Sequence, residues 1–198
     1  MSWSTLGPAA VFFGAIFTNN ILLTNYLGMC SFLAISREVK SSVGLGAAVV
    51  FVMGMTNALN WPIQYYILVP LKLEYLGFIV YIIVIAGSVQ LVEMIVERVS
   101  ESLYQNLGIF LPLITVNCAV FGAVLFMFIR KYTFLGSLAY GLGGGLGWAV
   151  AIVAMAGLRA KMARARVPRG LEGAGIALII AGIMSLAFMG FSGMIPAA

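Results

Sequence analysis

The 198 residues contain no histidine, only two cysteines and only 9% charged residues. Each shortage excludes something. Without imidazole, a soft redox metal held in lipid has two thiolates to choose from, Cys30 and Cys118. Two cysteines inside long apolar segments do not form a secreted disulfide framework. Soluble domains carry about 25% charged residues, so this composition describes an integral membrane protein. No polar stretch is long enough for a second, soluble domain. The N-terminus lacks a basic n-region, and the first apolar run, Pro8 to Ile35, is too long for a signal-peptide core. It is expected to be a retained helix. The net charge of +5 is not a nucleic-acid signal, because the excess lies beside apolar spans.

What the chain has is apolar sequence: 63% hydrophobic residues and a mean hydropathy of +1.10. At roughly 20 residues per span, it accommodates about six. An all-α membrane domain covering 1–198 is expected, with helices near 8–35, 42–69, 75–97, 103–129, 134–157 and 172–194. Trp61-Pro62 predicts a kink or loop start in the second, and Tyr65 and Tyr66 suit a membrane interface. The basic residues sort to two sides. One side holds Arg37, Lys40, Arg98, Arg159, Lys161, Arg164, Arg166 and Arg169; the other holds Lys72, Arg130 and Lys131. The positive-inside rule puts the first set in the cytoplasm and both termini outside.

The halves, about 8–97 and 103–194, echo each other. Asn20 to Cys30 aligns without gaps with Gly108 to Cys118, and Gly44-Leu45-Gly46-Ala47-Ala48 resembles Gly141-Leu142-Gly143-Gly144-Gly145. Three helices per half is odd, so the second copy enters from the opposite side. That is an inverted repeat, whose functional sites lie at the repeat interface near the midplane. The glycines of 141–147 read as helix-packing positions.

Thr18, Asn19, Asn20, Thr24 and Asn25 crowd the first span; Pro112, Thr115 and Asn117 lie in the fourth. Unsatisfied polar groups in hydrocarbon are expensive, so these must face protein, water or a cofactor. Spans 1 and 4 are therefore expected to be interrupted near their cysteines. Straight helices would leave Cys30 on the order of 10 Å from the cytoplasmic side and Cys118 on the order of 25 Å; broken backbone could bring them to one depth. Alone, each cysteine reads as a small buried hydrophobe. Together, at repeat-related positions, they read as half of a four-thiolate site completed by a partner chain. An iron–sulfur cluster and structural zinc both use four thiolates; a dry midplane better suits an electron carrier. Glu93, in Gln90-Leu91-Val92-Glu93-Met94, is the acid deepest in a span and a candidate on an ion path, or an interfacial acid pairing with Arg98.

Asn19-Asn20, Leu27-Gly28-Met29-Cys30, Gln90 to Met94, Leu107 to Ala119 and Ala187 to Gly193 resemble the family of Nqr D/E-type and Rnf A/E-type subunits across essentially the whole chain. The resemblance implies a membrane component of an ion-pumping redox complex, with Cys30 and Cys118 as metal ligands. They would share one [2Fe–2S] cluster with two cysteines of a homologous, D-type six-helix subunit. Outside termini match the Nqr E-type and Rnf A-type members. Cys30 to Ser36, Thr115 to Gly122 and Gly147 to Arg159 favour the Nqr E-type, while the short segment Tyr66 to Leu76 favours the Rnf A-type.

The resulting expectation is a subunit, not catalytic alone, of a Na+-translocating NADH:quinone reductase in a bacterial inner membrane. It would work beside the complex's other membrane and flavin subunits. The alternatives are the A-type subunit of a ferredoxin:NAD oxidoreductase, a small inverted-repeat transporter and a cofactor-free scaffold.

Overall fold

A computed structural model describes residues 7–99, 114–163, 168, 170, 171 and 173–191, and every regular element among them is helical. The first, α1, is Pro8–Ile16, with Pro8 at a helix start where its missing N–H costs nothing. The chain then leaves helical geometry and re-enters it as α2, Met29–Ile35. The expected 8–35 helix is thus two helices separated by residues 17–28. Next, α3 runs Val39–Pro62 and continues through a π-helical turn, Ile63–Leu68. Pro62 has no N–H to donate, and beyond it the bonds run one residue longer, as in Val69 N to Gln64 O at 3.0 Å. A short 3-10 turn, Glu74–Leu76, leads into α4, Gly77–Val99.

The next helix, α5, is Cys118–Ile129. Of the expected 103–129 helix, 103–113 lie outside the described residues, and 116–117 are non-helical immediately before Cys118. Two further helices follow, α6 at Phe134–Met162 and α7 at Ala174–Met189. Among the described residues three helices are long and apolar enough to cross a membrane: Val39–Leu68, Gly77–Met94 and Phe134–Met162. Cys118–Ile129 and Ala174–Met189 are apolar but shorter.

The centre of the molecule is the pairing of α3 with α6, with α1 laid on α6 and α5 on α3. Glycines on two alternating faces of α6 make this possible. A Cβ on Gly145 would stand 2.7 Å from Val50 Cα, and one on Gly141 would strike Asn57 and Met53, both on α3. A Cβ on Gly143 would stand 2.6 Å from Phe12 O, and one on Gly147 3.0 Å from Ile16 O, both on α1. Small residues four apart bring backbones into contact where lipid offers no hydrophobic drive. Outside this seam, Phe78, Ile79, Ile82 and Ile83 of α4 point outward and exposed, which is cheap against lipid or another apolar helix.

Two polar ties fix the ends. Arg159 Nη1, late in α6, donates to Leu33 O (3.0 Å) and Ser36 Oγ (2.8 Å), beside Arg37. At the other end of α3, Trp61 Nε1 donates to Tyr132 O at 2.9 Å, in the turn that carries Arg130 and Lys131. Members of the two basic sets therefore lie at opposite ends of one long helix.

Candidate metal centre at the broken helices

Breaking a helix inside an apolar body orphans backbone groups, and Asn20 collects them. It is fully buried. Its Oδ1 accepts from Leu22 N (3.0 Å) and Leu23 N (3.2 Å), while Nδ2 donates to Ile16 O (3.1 Å) at the end of α1. One side chain thereby ends one helix and starts the turn that follows, as Asn does in Asx-turns. Farther along, Ser185 of α7 donates to Leu23 O at 2.6 Å, and Tyr26 donates its phenol to Ser185 Oγ at 3.0 Å. The last helix thus latches the segment between α1 and α2. At its other flank, Asn19 lies between Asn25 and Arg130. Its oxygen is 2.7 Å from Arg130 Nη2 in the amide orientation that satisfies that contact. The guanidinium stacks over Phe126 and Tyr140, 4.9 and 5.6 Å from the ring centres.

The segment closes on Gly28, which caps α2 with φ +87°. That left-handed conformation is easy only for glycine. The space is equally restrictive: a Cβ there would lie 2.5 Å from Trp148 Nε1 and 2.9 Å from Ala119 Cβ. The turn aims the Gly28 N–H at Cys118 Sγ, 2.9 Å away. On the other side Asn117, buried, caps α5 by accepting from Ala119 N at 3.0 Å. Cys118 is therefore the first residue of its helix, and Cys30 the second of α2. Cys118 is half-buried and Cys30 exposed, both as free thiols.

The structure brings the sulfur of Cys118 to the turn that leads into Cys30. Among the described residues no group of three or more His, Cys, Asp or Glu could hold a metal ion. The donor set is two thiols, one already accepting an amide hydrogen, the second facing outward. That fits half of a four-thiolate centre. Glu93 is half-buried in α4 and is not part of this cluster. Among the described residues no ion pair joins it to Arg98.

Three contributors escaped the sequence reading: the Gly28 amide, the Ser185 latch and Trp148, whose indole lies against Gly28. Gly28 stood in view within Leu27-Gly28-Met29-Cys30, where a glycine two residues before a candidate ligand signals close backbone approach. Nothing local marks Ser185, a serine among aliphatics 162 residues from its acceptor.

Comparison with known proteins decides the family. The Rnf-Nqr subunit family of membrane proteins matches residues 9–195. The chain belongs to that family. The A-type subunit of the Na(+)-translocating ferredoxin:NAD(+) oxidoreductase complex of Acetobacterium woodii is 49% identical over 184 residues, covering 93% of this chain and 96% of that protein. The E-type subunit of the Na(+)-translocating NADH-quinone reductase of Psychromonas ingrahamii is 48% identical over 195 residues, with the same coverage. Its counterpart in Tolumonas auensis is 50% identical over 191 residues, again over 93% and 96%. The Rnf-Nqr match spans both cysteines and nearly all of the seven described α-helices, so the broken segments lie inside the family region. This is a multi-pass membrane protein.

Proposed function

We propose that this Rnf-Nqr chain is an electron-relaying membrane component of an ion-translocating oxidoreductase complex. Cys30 and Cys118 would supply two of four thiolates to a [2Fe–2S] cluster. The other two would come from a homologous, D-type six-helix subunit. The observation that carries this reading is the Gly28 N–H donated to Cys118 Sγ across 90 residues of sequence. When bound, the cluster supplies a one-electron carrier inside the membrane. The chain's own residues do the rest. Gly28 donates to a ligand sulfur, an interaction that tunes cluster potential. Asn117 caps the helix that presents Cys118, and Asn20 closes α1 and starts the segment that leads to Cys30. The exposure of Cys30 leaves room for a partner's ligands.

The same reading takes the chain as six passes in two inverted halves, with outside termini, in a bacterial inner membrane. Support comes from the matching layout of the two cysteine segments, each a turn followed by a helix with its cysteine in the first turn. Electron transfer would be coupled to Na+ movement, with Glu93 on the ion path. The host complex on this reading is an NADH:quinone reductase with further membrane and flavin subunits.

One observation favours the A-type role in a ferredoxin:NAD complex. The alignment with the Acetobacterium woodii protein is no longer than the part of this chain it covers, whereas the E-type alignments run to 191 and 195 residues over the same share. The E-type relatives thus carry extra residues that this chain and the A-type relative lack. NADH:quinone and ferredoxin:NAD activities of the purified complex separate the two hosts.

The cluster is tested by Cys30→Ala and Cys118→Ala in the intact complex. Each is expected to lower iron content and abolish one [2Fe–2S] EPR signal, with the other subunits still assembled. Unchanged iron and an unchanged signal would leave the transporter or scaffold reading.

A further inference from the structure

A cavity of about 240 Å³ lies where the π-helical turn meets the end of α5, lined by Gln64, Tyr65, Val69, Phe128 and Lys131. Its walls combine apolar surface with hydrogen-bond donors. Gln64 is buried at 1% exposure; Tyr81 donates its phenol to Oε1, and Nε2 is left with no acceptor. The π-helical turn sets this arrangement, turning Gln64 inward while Tyr65 and Tyr66 face out.

Lys131 adds a charge from a backbone position that disfavours any side chain. It follows the C-cap of α5 with φ +50°. Its N–H bonds to Phe128 O (3.1 Å), and Tyr132 N bonds to Met127 O (3.2 Å). This is the Schellman ending, whose left-handed residue is usually glycine. Lys72 ends the π-helical turn in the same way at φ +53°, with Lys72 N on Val69 O and Leu73 N on Leu68 O. Lys72 does not line the cavity.

Depth identifies the occupant's compartment. Gln64 lies 25 residues beyond Val39, or about 37 Å along the helix. The hydrocarbon core is only about 30 Å thick, so the cavity lies at headgroup level, at the end opposite Arg159. Trp61, Tyr65 and Tyr66 cluster there, Trp61 and Tyr65 with ring centres 4.6 Å apart, as interfacial aromatics do.

We propose that this cavity binds the phosphodiester headgroup of an anionic phospholipid, with Lys131 on the phosphate and Val69 and Phe128 against the first carbons of the acyl chains. Inorganic phosphate shares the headgroup chemistry but has nothing to place on Val69 and Phe128.

The test uses the purified complex exposed to equal parts phosphatidylglycerol and phosphatidylcholine, with retained lipid counted by native mass spectrometry. Variants are Lys131→Gly and, as control, Lys72→Gly. Both relieve a left-handed lysine and are expected to raise thermal stability. Only Lys131→Gly is expected to lower retained phosphatidylglycerol, by about fivefold, the equivalent of one interfacial lysine worth ~1 kcal/mol. Phosphatidylcholine should be unchanged. Equal losses in both variants would reduce the effect to general surface charge and overturn the site. So would no loss in Lys131→Gly, or displacement of the lipid by inorganic phosphate alone.

Discussion

At the scale of single residues, Gly28 is the most constrained position described. Its φ of +87° excludes side chains on conformational grounds, and Trp148, Ala119 and Asn117 exclude them on spatial ones. Gly28→Ala is expected to cost about 2 kcal/mol from left-handed strain alone, with steric displacement of Trp148 added. The displaced amide would leave Cys118 without its donor. A lower melting temperature of the complex, together with a more negative midpoint for the [2Fe–2S] signal, is the expected pair of results; a variant with both unchanged would remove Gly28 from the site. Glu93 makes a different kind of prediction. A carboxylate can coordinate a hard cation or take up a proton, and an amide cannot carry the charge. Glu93→Gln should lower the ion gradient formed per electron more than it lowers iron content. Full gradient formation in a normally assembled Glu93→Gln complex would make the residue a bystander in α4.

Among elements, the α3–α6 seam offers a comparison within one helix. Gly145→Ala puts a methyl 2.7 Å from Val50 Cα, whereas the same change at Gly144 meets nothing within 4 Å. Gly145→Ala is expected to destabilise by roughly 2 kcal/mol through overpacking. Gly144→Ala should be neutral or slightly stabilising, since alanine is the better helix former. Thermal unfolding of the two variants in one detergent checks the order; equal midpoints would show that the seam yields freely. The apolar runs made α3, α4 and α6 legible to within a few residues, because span length follows from hydrocarbon thickness and needs no tertiary information. Polar crowding at Thr18 to Asn25 marked the interruption of the first span for a similarly local reason. The exact helix ends were not legible. The end of α1 depends on an Asn20 amide reaching back to Ile16, and the start of α2 on a glycine conformation chosen to meet Cys118. Pro62 announced a kink, but whether the chain bends, breaks or widens into a π-turn depends on what packs beside it. Here that includes Tyr81 on Gln64 and Tyr132 on Trp61.

For the molecule as a whole, the segregation of charge carries the topological prediction. Arg159 is tied to the end of α2 beside Arg37, and Lys131 lies by Trp61 at the far end of α3. The end with Arg37 and Arg159, members of the set of eight sorted from the sequence, is expected on the cytoplasmic side. An alkaline phosphatase fused after Ala198 should be active, and green fluorescent protein fused at the same place should be dark. The reverse pair of outcomes would invert the orientation.

The bond from Gly28 to Cys118 also has a history. A ribosome adding ~5–20 residues per second makes Gly28 on the order of ten seconds before the sulfur that its amide will meet, 90 positions later. The carbonyl of Leu23 waits longer still for Ser185, 162 positions on. Through that interval the first break is held by Asn20 and its near neighbours, and the nascent chain owns a single thiol. If the pair holds iron as proposed, iron delivered before Cys118 is made would find one thiol instead of two. On the proposed reading, the iron–sulfur centre can therefore be loaded only once Cys118 has been made, and the hydroxyl of Ser185 reaches the segment before Cys30 later still.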